Sequence, residues 1–234
     1  MKLSIFALTL IVATSSAAST AIAGAISAPS ELNPGDQFRI VFVTDGTTVA
    51  TSSAFSTYDN LVQSEASGTT YNGNSITWQA IVGTSTVSAL DHIGETTTSS
   101  IPIFLVDGTK VTASDNTSGL WSGTLLHSIN LDLLGAVPTG SRVWTGANYT
   151  GAISGLPVGN SGNNVGHGDT TSTGHNWAIA PGLIQKTSLL HLYGISEVLT
   201  VPQSTAAVPE PSTAMLAGLG GLVALAYSLK RKRN

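Results

Sequence analysis

Residues 37–44 read QFRIVFVT, and this stretch sets the class of the fold. Phe38, Ile40 and Phe42 alternate with Arg39, Val41 and Val43, a period of two in a β-branched background, which is the pattern of a strand. Asp45-Gly46 ends it with turn chemistry. The period then changes. Over residues 53–66 the apolar positions Phe55, Tyr58, Leu61, Val62 and Ala66 recur at helical spacing, Ser and Thr stand ready as N-caps, and Gly68 follows the end. A strand followed by an amphipathic helix and then by further short strands predicts an α+β domain with a mixed or antiparallel sheet and one clear amphipathic helix.

Downstream, Asn72-Gly73 marks a turn before a short strand at 76–82 (ITWQAIV), and 85–93 predicts one or two helical turns. The apolar run 101–106 leads through Asp107-Gly108 into 109–112, and Asp-Gly predicts a hairpin because it tolerates the positive φ of a tight turn. Strand patterns recur at 128–134, where Ile129, Leu131 and Leu133 alternate with Asn130 and Asp132, and at 142–145 around Trp144. A last block, 189–201 (LLHLYGISEVLTV), is expected to close the sheet.

Between these strands, residues 146–174 change composition to Gly, Asn, Ser and Thr. A polar loop of this length in a compact domain is either functional or without fixed order. Its candidate ligand-binding residues are Asn160, Asn163, Asn164, His167, Asp169, His175 and, at its border, Trp177. His167, Asp169 and His175 offer nitrogen and oxygen ligands to a divalent metal, and the three asparagines offer donors or carbonyl oxygens to Ca²⁺ or a sugar. Their spacing fits no fixed metal signature, and the plainer account is a solvated loop. His191, inside an apolar strand pattern, reads as a hydrogen-bonded core histidine. Trp78, Trp121, Trp144 and Trp177 read as core, with Trp177 the expected exception as a sugar-stacking platform because it borders the polar loop.

The two ends carry addresses. Met1-Lys2, the apolar run 3–13 and the small-residue stretch ending Ala21-Ile22-Ala23 have the three regions of a secretory signal peptide, with cleavage expected after Ala23. At the other end, 208–234 reads VPEPSTAMLAGLGGLVALAYSLKRKRN. The 18 residues 212–229 rise roughly 27 Å as a helix, close to the ~30 Å hydrocarbon core of a bilayer, so a transmembrane helix is expected. Lys230, Arg231, Lys232 and Arg233 follow directly and place the C-terminus on the cytoplasmic side. The exported domain is then 24–207.

That domain holds twelve Asp and Glu against Arg39, Lys110, Arg142 and Lys186. An acidic unit with four scattered cations has no footprint for nucleic acid. There is no cysteine, which excludes thiol catalysis and Cys-metal sites and leaves the domain to hold itself by packing. The uncharged polar surface fits a secreted module that hydrogen-bonds neutral partners such as glycans.

Catalytic templates fail: the nearest approach to a G-x-S-x-G elbow, 159–163, lacks the final glycine, and no H-E-x-x-H, phosphate loop or dinucleotide fingerprint occurs. The domain reads as non-catalytic, binding or structural. The alternative is a metal-dependent hydrolase built on His167, Asp169 and His175. The sequons at Asn116 and Asn148 read as incidental.

Pro209-Glu210-Pro211, the glycine-bearing apolar span and the terminal basic cluster, in that order, resemble the PEP-CTERM sorting signal of Gram-negative bacteria. The resemblance covers the tail. It implies recognition by a membrane-embedded exosortase after export by the secretion machinery, transient anchoring in the inner membrane, removal of the tail near Pro209–Pro211, and delivery to the cell surface or exopolysaccharide matrix. A second resemblance spans the domain: the order QFRIVFVT, helix with Tyr58-Asp59, TWQAIVGTSTVSALDHI, IPIFLVDG, Trp121, VWTG, polar loop, Trp177 and LLHLYGIS looks like bacterial surface domains with a C-type-lectin-like or endostatin-like core. It implies that the two ends of the domain pair as strands and that a long loop carries the ligand. The cysteine pair and the sugar and calcium tripeptides of lectins are missing, so no binding residue carries over.

Overall fold

The computed structural model describes residues 24–95, 101–112 and 119–203. The leader expected at 1–23 and the tail at 208–234, with its spanning segment 212–229, lie outside the described residues. Among the described residues no helix is long and apolar enough to cross a membrane.

In chain order the elements are β1 (Ala25–Ile26), β2 (Gln37–Val43), α1 (Phe55–Glu65), β3 (Thr70–Tyr71), β4 (Asn74–Ser75), β5 (Trp78–Ala80), α2 (Ala89–His92), β6 (Ile103–Phe104), β7 (Arg142–Trp144), β8 (Asn164–Val165), β9 (His167–Asp169), β10 (Ile184–Gln185), β11 (His191–Ser196) and β12 (Leu199–Thr200). Single 3₁₀ turns cover Leu120–Ser122 and His175–Trp177. The domain is sheet-rich with few helices, as an α+β reading requires. The main sheet runs β12-β2-β11-β7-β9, with β5 added on β11 and β6 on β2. It is mixed: β11 runs parallel to β7 and β2 parallel to β6, the other pairs being antiparallel.

The first long strand and the last block therefore pair with each other. Ile195 faces Val41 and Leu199 faces Phe38, a step of four residues on one side against three on β2, so a bulge separates β11 from β12 along β2. The last block was expected to close the sheet; instead β11 lies inside it, with β2 on one edge and β7 and β5 sharing the other. All six of its residues are buried, including His191.

Both faces of β2 are covered, because helices and loops pack on each side of the sheet. Phe38, Ile40 and Phe42 join one apolar cluster with Tyr58 and Val62 of α1, Trp78, Trp144 and Leu192. Val41 and Val43 join the other, with Val143, Tyr193, Ile195, Trp121 and Trp177. Arg39 points into that second side, where Nε donates to Ser196 O (2.7 Å) and Nη1 to Ile93 O (2.9 Å) and Glu95 Oε1 (2.8 Å). α1 lies close on β11 because position 194 is glycine: a Cβ there would stand 2.4 Å from the Phe42 ring and 2.7 Å from Val62 Cγ1.

The helix also covers a sheet edge. Asp59 Oδ1 accepts from Ala80 N (2.8 Å) and Gln63 Oε1 from Trp78 N (2.9 Å), so side chains of α1 take the donors that β5 turns away from β11. The expected Ser or Thr N-cap is replaced by Ala54, whose N–H donates to Ser52 Oγ at 3.1 Å. The Asn72-Gly73 turn forms with φ of 51° and 78° and joins β3 to β4.

Two expectations are corrected. Residues 128–134 form no strand, because Asp132 Oδ1 accepts from the backbone of Leu134 and Ala136 (both 2.8 Å) and folds the segment into a turn. Nor is 146–174 a free loop. It contains β8 and β9, and β9 extends the main sheet by pairing Asp169, Gly168 and His167 with Arg142, Val143 and Trp144.

Candidate functional site

The polar segment is braced by backbone hydrogen bonds, within itself and to neighbouring loops. Gly146 N donates to Gly166 O (3.0 Å), Val158 N to Gly83 O (3.0 Å) and Gly159 N to Ala50 O (3.0 Å). With both flanks fixed, its candidate residues take separate roles. Asn160 Nδ2 donates to Pro157 O (2.6 Å) and Asn164 O (2.9 Å), an internal brace. Asn163 is exposed, and its carbonyl accepts from Lys186 N at 2.8 Å. Asn164 pairs with Gln185 in the antiparallel β8–β10 ribbon. Asp169 Oδ1 accepts from Thr171 N (2.9 Å) and Thr171 Oγ1 (2.7 Å), closing the turn after β9.

His167 stands opposite Trp144 and is 2% exposed. Burial, and secondarily the positive charge of Arg142, hold its ring below the ordinary 6.5, and Asp169 opposes them. His175 is exposed, at the start of its 3₁₀ turn. Among the described residues no group of three His, Asp or Glu side chains is arranged to hold a metal ion, so His167, Asp169 and His175 do not form a metal centre. Trp177, the expected exposed platform, has no exposed surface. Its ring packs against Trp121 (centroids 5.1 Å) and Tyr193 (5.9 Å), and the sequence had placed it at the border of the polar segment without showing which side it faces.

The surface aromatic that sequence reasoning missed is Tyr149. Asn148 Oδ1 accepts from Thr150 N (2.9 Å), Thr150 Oγ1 (2.7 Å) and Ala152 N (3.1 Å), so the second sequon asparagine builds the turn that holds Tyr149 outward. Tyr149 stacks on His175 with centroids 4.0 Å apart and planes 13° from parallel. Gly123, at φ 83°, makes room for the pair: a Cβ there would lie 2.6 Å from His175 Cδ2 and 3.1 Å from Tyr149 Cδ2. Leu90 N donates to Gly151 O at 3.1 Å and locks the turn to the start of α2.

Next to the stacked pair lies an open cleft of about 540 Å³ lined by Ser88, Leu90, Asp91, Thr150, Ala152 and Ile153. Its lining combines the aliphatic side chains of Leu90, Ala152 and Ile153 with two hydroxyls and one carboxylate. Ser88 Oγ donates to Asp91 Oδ2 (2.6 Å) and accepts from Asp91 N (3.0 Å), which fixes the carboxylate at the start of α2. No cation lines it. A flat aromatic stack beside a neutral-to-acidic cleft with hydroxyl partners suits a ligand with one apolar face and many hydroxyls.

Residues 207–232 match the family model of the PEP-CTERM protein-sorting motif. The chain thus carries this motif at its C-terminus, and the motif marks it for export and exosortase-mediated sorting to the surface or beyond. Among curated proteins none matches the chain.

Proposed function

We propose that the exported unit, 24–207, is a non-catalytic glycan-binding module of the cell surface or matrix, which engages neutral sugar on the Tyr149–His175 face. The observation that carries this is the exposed stack beside the cleft of Ser88, Asp91, Thr150 and Ile153. The ring faces of Tyr149 and His175 match the C–H face of a pyranose, and the cleft's hydroxyls and the Asp91 carboxylate match its hydroxyl groups. The pairing of the first and last strand blocks supports the lectin-like architecture expected from the sequence. Delivery proceeds by removal of the leader 1–23, anchoring through 212–229 with Lys230–Arg233 inside, and release near Pro209–Pro211.

A neutral glycan array probed with the full chain in detergent micelles tests the reading. Binding that falls at least tenfold in Tyr149→Ala and His175→Ala supports it. No binding across the array, or binding indifferent to both changes, overturns it.

A further inference from the structure

The domain has few cations, and among the described residues three of the four are engaged. Arg39 binds Glu95, Lys110 binds Glu31 (2.6 Å), and Lys186 Nζ donates to Asn160 O (3.1 Å). Arg142, at the start of β7, is exposed and has no hydrogen bond or ion pair among the described residues. It borders a separate cavity of about 390 Å³, shared with the hydroxyls of Thr47, Thr139 and Ser141, the Leu189 side chain and the His191 ring.

The cavity wall is held in place. His191 Nδ1 lies 2.8 Å from Thr44 O and Nε2 2.9 Å from Thr139 O, and Thr170 N donates to Ser141 O at 2.7 Å. Asp169, its cross-strand partner, makes no ion pair with it and has Oδ1 engaged by Thr171 N and Thr171 Oγ1. Leu189 is 65% exposed, an apolar surface beside an unpaired guanidinium.

We propose that this cavity binds a carboxylate-bearing sugar, a uronic acid unit of an acidic polysaccharide. The guanidinium fork matches a carboxylate in a bidentate pair, which fixes orientation as well as charge. The three hydroxyl-bearing side chains offer donors and acceptors to the sugar hydroxyls, and Leu189 offers an apolar surface to its C–H face. The volume falls in the range of small-ligand sites. Because the domain is acidic overall, a polyanion gains no general attraction to it, so recognition rests on this one cation. The site is independent of the Tyr149 stack.

The test is calorimetric titration of the full chain in detergent micelles with digalacturonate, its methyl ester and inorganic phosphate. Digalacturonate binds, the ester binds at least tenfold more weakly, and Arg142→Gln loses at least tenfold. Arg142→Lys keeps part of the affinity, and Leu189→Ser loses several-fold. Absence of digalacturonate binding, binding unaltered in Arg142→Gln, or equal binding of phosphate would each overturn the assignment.

Discussion

Arg39 Nη1 donates to Glu95 Oε1 at 2.8 Å, and both side chains are 3% exposed. The pair lies under the second apolar cluster, where Arg39 also satisfies the carbonyls of Ser196 and Ile93 and so links β2, β11 and the end of α2. Removing one partner leaves an uncompensated buried charge. Glu95→Ala is therefore expected to cost about 3–5 kcal/mol, whereas Arg39→Met with Glu95→Leu costs much less than the single change. Urea unfolding of the single and double variants checks this.

Gly194 is required by contact distance, since a methyl group there enters the space of the Phe42 ring and Val62. Gly194→Ala is expected to destabilise by about 1–3 kcal/mol through displacement of α1 from the sheet. The shift in thermal midpoint is the measurement, with Gly73→Ala excluded as a control because φ 78° strains it for another reason.

His167 gives the domain a pH dependence with a definite sign. Its folded value lies below 6.5, so between the two values the unfolded chain binds more protons than the folded one. Its contribution to stability is complete above the unfolded value and is lost as pH falls from about 6.5 through the folded value. Glu65, raised chiefly by burial, acts the other way, its contribution falling as pH rises above 4.5. His167→Gln should flatten the acid-side decline while leaving the Glu65 component in place; urea midpoints at several pH values for both proteins decide it.

Trp177 and His175 separate packing from binding although only Asn176 stands between them. Trp177→Ala should cost about 3–5 kcal/mol by opening a cavity beside Trp121 and Tyr193. His175→Ala should change stability by less than about 1 kcal/mol, as exposed positions do, and should weaken glycan binding. Equal stability losses in the two variants would contradict this division.

The sorting tail is tested in cells. Deleting 208–234 should abolish surface retention and release the protein, and fractionation reads the outcome. Replacing Pro209-Glu210-Pro211 alone should keep the uncleaved chain in the membrane fraction.

The sequence by itself determined the elements whose cause is local. The alternation at 37–44 made β2, the 3.6 spacing of Tyr58, Val62 and Ala66 made α1, and Asn72-Gly73 made a turn by supplying positive φ. It also determined the address, because the Pro-Glu-Pro motif, apolar span and basic cluster form a linear signal. Tertiary structure decided everything that depends on which surfaces meet. Alternation at 128–134 looked like a strand until Asp132 bonded its own turn, and 167–169, inside the glycine-rich segment, looked like a loop until β7 offered it an edge. Trp177 left its expected exposed position, and Tyr149 took one, for the same reason. Composition placed Trp177 beside polar residues, but packing against Trp121 and Tyr193 took it inside, while the Asn148 turn and the space at Gly123 brought Tyr149 out over His175.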